Sequence, residues 1–305
     1  MKHLTLLLLL AAPLAADPWK LVWSDEFEGE KIDRTKWGFQ VGNGFYNYDA
    51  KQWIHGWGND ELQYYTEDNA TLRDGKLVIQ ARKESLHGCG FTSARMRTVT
   101  RQGETLFSQR YGRFEIRARL PVGQGLWPAI WMLPDHDPYG GWAASGEIDI
   151  MEARGQEPGK VLGTIHYGGG WPANEHAGGE HVFPEGKGID HFHTYAIEWE
   201  PGVIRWYVDG THYSTKTFWW SSSKRGAGGG EKPASEVEMN PWPAPFDKPF
   251  HLVLNLAVGG RFLGPPDQTT PFPAEMEIDY VRVYEKEGGY GDPAPRGEGV
   301  LPFSR

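Results

Sequence analysis

Three carboxylates lie within six positions of the segment GEIDIMEARG, residues 146 to 155. On a regular β-strand successive side chains point to opposite faces, so Glu147 and Asp149 share a face and Glu152 points away from them. Two carboxyl groups that face one site can divide their work between an ionised and a protonated form, as glycosidic bond cleavage requires. For Glu152 to take part in such a site, its side chain must return to the face that carries Glu147 and Asp149.

A β-bulge would restore the phase. One extra residue, for which Met151 is the natural candidate, would bring all three acids to one side of a strand. A helix over 144 to 152 would instead place Asp149 and Glu152 three residues apart, where like charges repel, and glycine and β-branched residues weaken it. The segment therefore predicts a bulged strand. A solvated acidic patch is the other interpretation of so many acids in a short stretch.

Tryptophans flank the acids in sequence. Trp127, Trp131 and Trp142 lie just upstream, and the chain carries 14 Trp against 6 Met. Aromatic rings stack on the C–H faces of pyranose rings, so rings beside carboxylates favour a sugar-binding cleft over a solvated patch. Others, such as Trp199 and Trp206 on alternating segments, are expected in the core.

The spacing of the two glutamates suits one mechanism. On a bulged strand, at about 3.3 Å per residue, their Cα atoms would lie roughly 13 to 16 Å apart, and long side chains leaning inward would bring the carboxyls to about 5 Å. That separation belongs to retaining hydrolysis, in which one carboxylate attacks the sugar and the other protonates the leaving oxygen. Asp149, which is shorter, fits a helper that hydrogen-bonds the nucleophile.

The elements that must position these residues are predicted to be strands. FEIRARL (114 to 120) alternates apolar and polar residues, as do KLVIQAR, YAIEWE and YVRVY. HLVLNLAV (251 to 258) is apolar almost throughout, which is typical of a strand covered on both faces. The pattern indicates an all-β protein of two packed sheets. Segments 221 to 235 and 288 to 305 are expected to be a flexible surface loop and a flexible C-terminal tail.

Composition limits the partners and the compartment. The 305 residues carry a formal net charge of −9, which provides no general basic field for nucleic acid or anionic membrane. The first 16 residues fit a signal peptide, and no later stretch is apolar enough to span a bilayer, so secretion is expected. Cys89 is the only cysteine, so no intrachain disulfide can form. It is expected to be a buried small side chain, since a catalytic thiol would need a base partner.

GEIDIMEARG resembles the E-x-D-x-x-E motif of glycoside hydrolase family 16, in the form with a bulge residue that is typical of laminarinase-like endo-β-1,3-glucanases. Other blocks are similar to that family in the family's own order, from about residue 19 to 287. They include GWGNDELQYYT, FTSARMRT, YGRFEIRARLPVGQGLWPAIWMLP, GTIHYGG and PFPAEMEIDYVRVYE. The resemblance implies one catalytic domain over 17 to 287 with a concanavalin A-like β-jelly-roll of two curved antiparallel sheets and a substrate groove across the concave face.

The resemblance also implies roles for individual residues. The catalytic set would be Glu147 as nucleophile, Asp149 as its assistant and Glu152 as acid/base. Sugar subsites would be lined by Trp127, Trp131 and Trp142, with hydrogen bonds from Arg95 and His166. Catalysis would need no cofactor, but the family suggests a structural calcium, whose oxygen ligands would come from Glu26, Gly75 and Asp279.

These observations predict a secreted, monomeric, retaining endo-hydrolase of β-1,3-glucan. A mixed-linkage β-1,3-1,4-glucanase or a marine galactan hydrolase on the same fold is an alternative, since fold does not fix substrate. A non-catalytic β-glucan-binding protein is another, although binding-only relatives lose the acids. After LAVGG many relatives carry Asn-Trp, where this chain has Arg261 and Phe262, so subsite preferences are not carried over at that end.

Overall fold

Nineteen strands and two short 3₁₀ helices make up the regular structure of the described residues. The computed structural model describes residues 18–48, 50–224 and 231–304; the predicted signal peptide lies outside these ranges. The 3₁₀ helices are Gly56–Gly58 and Glu236–Glu238. The strands are β1 (Trp19–Asp25), β2 (Gly38–Phe39), β3 (Gly44–Asn47), β4 (Gln52–His55), β5 (Gln63–Tyr65), β6 (Ala70–Arg73), β7 (Lys76–Ala81), β8 (Phe91–Ser93), β9 (Arg95–Arg97), β10 (Gly112–Arg119), β11 (Leu126–Pro134), β12 (Glu147–Glu152), β13 (Lys160–Gly168), β14 (Asn174–Val182), β15 (His193–Glu200), β16 (Val203–Val208), β17 (Thr211–Lys216), β18 (Phe250–Val258) and β19 (Ala274–Lys286).

Two large antiparallel sheets contain most of these strands. The eight-stranded sheet has the order β17-β16-β15-β10-β19-β7-β6, with β1 also paired to β19. The seven-stranded sheet has the order β14-β13-β12-β11-β18-β9-β2 and therefore holds the acidic segment near its middle. Strands β3 and β4 form a separate hairpin, and β5 pairs with β8 in parallel. The predicted all-β class with two antiparallel sheets is confirmed.

The core lies between the two large sheets. Strand β10 contributes Phe114, Ile116 and Ala118, which are fully buried, while its charged residues alternate toward the other face, as the sequence pattern predicts. All nine residues of β18 are buried, because this strand is covered on both faces. Within the described residues, no helix is long and apolar enough to cross a membrane.

Two expectations about less regular parts need correction, and a third segment has contacts that its composition does not indicate. Ser221 and Ser222 begin the predicted surface loop but are buried, and Ser222 N donates to Gly168 O. Cys89 is partly exposed rather than buried, because it sits in a turn where it pairs with Leu86. The predicted C-terminal tail contacts the body of the protein, since Gly297 N donates to Thr217 O and other tail residues pack nearby. The tail therefore packs on the body at these residues, and its predicted flexibility stays a prediction.

Candidate active site

A β-bulge in β12 places the three acids. On the β11 side, Met151 pairs with Ile130 and Asp149 pairs with Trp131, so Ile150 is the residue skipped in the register. On the β13 side the register also shifts between Asp149 and Glu152. The predicted bulge is therefore present, but pairing with β11 makes Ile150, and not Met151, the extra residue. Both apolar residues are buried behind the acids.

The opposite sheet supports this bulge. A bulge leaves backbone groups without ladder partners, and the indole Nε1 of Trp206 donates to the main-chain oxygen of Asp149 at 2.8 Å. Gly163, which lies on β13 opposite the bulge, makes room for this ring, because a Cβ there would stand 2.2 Å from Trp206 Cδ1. Trp206 is buried in the core, as the sequence predicts, but it also holds the backbone between two candidate catalytic residues.

Trp206→Phe is expected to lower kcat roughly 10- to 100-fold, because the ring is kept but the bulge loses its donor and the acids shift. The unpaired carbonyl should also cost about 1 to 3 kcal/mol in the free energy of unfolding. Activity assays and urea unfolding would measure the two effects. Trp199→Phe is the matched control, since Trp199 Nε1 donates to Phe246 O and not to the bulge. Equal kcat losses in both variants would contradict a specific role for Trp206.

Each glutamate of the bulged strand accepts a hydrogen bond from a tryptophan. Trp142 Nε1 donates to Glu147 Oε2 at 2.8 Å, and Trp127 Nε1 donates to Glu152 Oε1 at 3.0 Å. These contacts fix the direction of both carboxyl groups. Two of the three tryptophans predicted to line sugar subsites therefore contact the acids directly.

His166 joins two of the acids. It lies opposite Glu147 in the register of β12 with β13. Its Nε2 is 3.4 Å from Asp149 Oδ2 and 3.6 Å from Glu147 Oε1. These three residues offer ligand atoms within 4.8 Å of one another, a separation at which a cation could be held. Because the same atoms form the candidate catalytic centre, a cation there would compete with the reaction.

The electrostatics separate the acids. Burial raises the pKa of Glu152 to about 7, with a further contribution from the charge of Glu147. Burial and the charges of both glutamates raise the pKa of Asp149 well above its usual range. Burial lowers the pKa of His166, but its contact with Asp149 and the charges of the glutamates outweigh this and raise it to about 9. The positive charge of protonated His166 thus partly compensates the negative charge of the clustered acids at neutral pH.

Arg95 is held beside this centre by two aromatic rings. Its guanidinium carbon lies 4.6 Å from the ring centroids of both Trp57 and Trp131, and its Nε donates to Gln40 Oε1 at 2.6 Å. Burial lowers the pKa of this side chain, and the charges of nearby groups, Glu147 among them, oppose that shift. Arg95 and Trp131 are therefore brought to the site, as the sequence predicts.

A buried hydrogen-bond network beneath Trp131 was not predicted. Trp131 Nε1 donates to Asn255 Oδ1 at 2.7 Å, Asn255 Nδ2 donates to the Tyr65 hydroxyl at 3.2 Å, and that hydroxyl donates to Glu61 Oε2 at 3.1 Å. Burial raises the pKa of Glu61, and the charge of Arg95 opposes this rise. A signal existed in Asn255, one of two polar residues with His251 in an otherwise apolar strand, but its partners are distant in sequence.

Arg261 and Phe262, which depart from the family pattern, lie near Trp127. The Phe262 ring is 4.8 Å from the Trp127 ring, and Arg154 covers Phe262 with its guanidinium carbon 4.0 Å from the ring centroid. Arg261 Nε donates to Asp60 Oδ2 at 2.6 Å and so ties two loops together. Phe262 therefore supports the ring that donates to Glu152.

The predicted calcium ligands lie on the other sheet. Strand β10 occupies one edge of β19, so β1 and β7 share the other edge, where Asp25 pairs with Val281 and Leu77 with Ile278. This register brings the chain just after β1 and the turn before β7 toward the same stretch of β19. The three predicted ligand positions, Glu26, Gly75 and Asp279, lie in those segments.

The two carboxylates of the predicted calcium site have arginine partners. Glu26 accepts two hydrogen bonds from Arg282, at 3.0 and 2.8 Å, and Asp279 accepts one from Arg117. Gly75 occupies a turn with φ +68°, a conformation that favours glycine. A cation at this place would therefore have to displace or share these arginine contacts. The backbone positions fit the predicted site, and the side chains fit only if the arginines move.

Comparison with known proteins agrees with the geometry. The family model "Glycosyl hydrolases family 16" matches residues 51–249. Glucan endo-1,3-beta-glucosidase A1 of Niallia circulans is 43% identical over 88% of this chain, which spans 38% of that relative's length. Beta-glucanase of Rhodothermus marinus is 44% identical over 88% of this chain and 86% of its own.

A solved structure supports the fold as well. The laminarinase catalytic domain from Thermotoga maritima MSB8 is 42% identical, with a TM-score of 0.70 over 88% of this chain and 98% of that one. This likeness confirms the predicted β-jelly-roll sandwich. Since the family model covers more than half of its length, the chain belongs to glycosyl hydrolase family 16.

Proposed function

We propose that this protein is an endo-acting hydrolase of β-1,3-linked glucan that retains the anomeric configuration. The observation that carries the proposal is the bulged strand, on which Glu147 and Glu152 each accept an indole N–H and burial raises the pKa of Glu152 to about 7. Hydrolases of this family use carboxyl groups and water and need no cofactor. The similarity to a glucan endo-1,3-beta-glucosidase and to a laminarinase supports β-1,3-glucan as substrate.

The proposed reaction has two displacements. The Glu147 carboxylate forms a bond to the anomeric carbon while the glycosidic bond breaks, and Glu152 gives its proton to the leaving oxygen. Glu152, now ionised, then takes a proton from water, whose oxygen attacks the same carbon and releases Glu147. Asp149 and protonated His166 hold Glu147 in place, and Arg95 and Trp131 position the sugar.

The direct test compares reducing-end release from laminarin, lichenan, agarose and carrageenan. Faster release from laminarin than from the others supports the proposal, and NMR of the first product should show the β-anomer. Preference for lichenan would indicate a mixed-linkage enzyme, and preference for agarose or carrageenan would indicate a galactan hydrolase. Binding to laminarin without release would indicate a non-catalytic glucan-binding protein.

The pH dependence should report Glu152. Because Glu152 must carry a proton to act as acid, kcat/KM on natural glucan is expected to fall as the pH rises through about 7. Trp127→Phe removes the hydrogen bond that lowers this pKa, so the alkaline limb should move to higher pH. Trp131→Phe is the control, because its indole N–H goes to Asn255. An alkaline limb that moves equally in both variants, or in neither, would argue against Glu152 as the acid.

A structural calcium is also proposed at Glu26, Gly75 and Asp279. Convergence of these positions on one stretch of β19 supports the site, and oxygen ligands suit calcium. A cation that binds only the folded state stabilises it by about 2.7 kcal/mol at a hundredfold excess over Kd. Chelation should therefore lower the melting temperature and calcium should restore it, whereas Asp279→Asn should lose this response. An unchanged melting temperature in the wild type would remove the proposal.

We further propose that the protein is exported and acts as a monomer. The composition of the first 16 residues supports export. N-terminal sequencing of protein recovered from the medium or periplasm would test it, and an uncleaved intracellular product would contradict it. Sedimentation equilibrium of the mature protein would test the proposed monomeric state.

A further inference from the structure

The β3–β4 hairpin carries aromatic side chains that are exposed to solvent. Tyr46 and Trp53 lie directly opposite each other in its register and are 44% and 45% exposed. Tyr48 is 83% exposed, and its ring centroid lies 5.0 Å from that of Tyr46. Exposed clusters of large apolar groups commonly mark binding sites on soluble proteins. The three rings are named here the hairpin platform.

Packing of the hairpin does not require these rings. Side chains alternate between the faces of a strand, so Phe45 and its cross-strand neighbour Ile54 lie on the face opposite to Tyr46 and Trp53. The Phe45 ring lies 6.3 Å from the Trp57 ring, and Phe45 and Ile54 both approach Gly58. The hairpin is therefore attached through its Phe45 face, although Phe45 itself stays 39% exposed, and the hairpin platform is the face that has no such attachment.

The hairpin is linked to the candidate active site by a row of neighbouring side chains. Trp57 follows β4 almost directly and lies against Arg95, which lies against Trp131. Gly56 N donates to Asn43 O at 2.7 Å and ties the two ends of the hairpin together. From Trp131 to Arg95, Trp57 and Phe45, side chains are in contact without interruption. The hairpin thus stands next to the site, beyond Trp57.

We propose that the hairpin platform is a distal binding site for the same β-glucan chain that occupies the active site, taking sugar units that extend past Trp57. Tyrosine and tryptophan rings stack on the C–H faces of pyranoses, and their polar groups can hydrogen-bond to sugar hydroxyls. The three side chains are uncharged, which matches a neutral polysaccharide. This inference rests on the proposed function. Sugar binding at the hairpin platform makes the enzyme more efficient on long chains than on short ones.

The test is the dependence of kcat/KM on substrate length. Trp53→Ala and the double variant Tyr46→Ala/Trp53→Ala are compared with wild type on laminarin and on a ladder of β-1,3-gluco-oligosaccharides. On laminarin, kcat/KM should fall about fivefold to tenfold through KM, the size expected for lost aromatic stacking. On the shortest oligosaccharide that is cleaved, it should not change. Trp53→Phe keeps a ring and should recover most of the loss.

Trp19→Ala is the matched control, because it removes an indole from strand β1 of the other sheet. It should show no loss that depends on substrate length. Equal losses on short and long substrates in Trp53→Ala would mean that the rings only support the fold of the site, and no loss on either would mean that they bind no sugar. A dimer in the wild type that dissociates in the double variant would assign the rings to contact between copies.

Failure of the proposed function would be distinguished by binding. If the wild type cleaves no β-1,3-glucan, calorimetric titration of laminarin into the wild type and the double variant still measures the platform. Weaker binding by the variant would then support the platform while the hydrolase proposal fails. Equal binding would overturn the platform by itself.

Discussion

Glu147→Ala is expected to reduce hydrolysis of β-1,3-glucan by about 10,000-fold or more, because without the nucleophile no glycosyl-enzyme can form. The acid Glu152 remains, so the defect should persist on substrates with good leaving groups. Kinetics on laminarin and on a dinitrophenyl β-glucoside of suitable length would measure it. Circular dichroism and the melting temperature would establish that the variant folds.

The reaction of Glu147→Ala with azide tests whether Glu147 is the nucleophile. In Glu147→Ala, the space left by the carboxylate admits azide on the face from which the nucleophile attacks. Direct displacement of an activated β-aryl glycoside should then yield the α-glycosyl azide, which NMR distinguishes from the β-anomer. Glu285→Ala is the control, since that exposed carboxylate pairs with Lys20 far from β12 in the fold. A β-glycosyl azide from Glu147→Ala would exchange the roles of the two glutamates.

Glu152→Ala should produce a different defect. Hydrolysis of natural glucan should slow by about 100- to 10,000-fold, because the leaving oxygen no longer receives a proton. An activated aryl glycoside needs no such proton, so formation of the glycosyl-enzyme on Glu147 should be nearly preserved. Its hydrolysis should be slow, because no base activates water. A burst of phenol followed by slow turnover would therefore be expected in stopped-flow measurements.

Azide should rescue turnover in Glu152→Ala, since it needs no base. It attacks the glycosyl-enzyme from the face opposite the ester to Glu147, so the product should be the β-glycosyl azide. The residual activity should also lose the alkaline limb that Glu152 causes in the wild type. Absence of rescue in both folded variants, together with inversion of configuration by the wild type, would rule out double displacement on β12.

Much of the fold can be predicted from short-range sequence patterns. The alternation in β10 and the apolar run of β18 specify which strands are half-buried and which are fully covered. This works because strand periodicity is local: a residue's face is decided by its parity along the strand. The two-sheet class follows, since such strands must bury their apolar faces against another layer.

The candidate site is predictable to the same extent. The out-of-step Glu152 indicates the bulge, and nearby tryptophans indicate the sugar site, because both signals lie within about one hairpin of sequence. Assignment of nucleophile and acid came from the resemblance to the family, and the raised pKa of Glu152 is in accord with it. Export, calcium binding and the retaining mechanism stay predictions.

Long-range contacts decided the rest. The partner of the bulge carbonyl, Trp206, is 57 residues from Asp149, and Asn255 is 124 residues from Trp131. Pairing between strands that far apart depends on register and on the packing of two sheets, and no local period encodes either. Local sequence patterns thus predict the strands, the clustered acids and their aromatic neighbours. The packing of the two sheets sets which residue is skipped at the bulge, which side chains hold it and which pKa values burial raises.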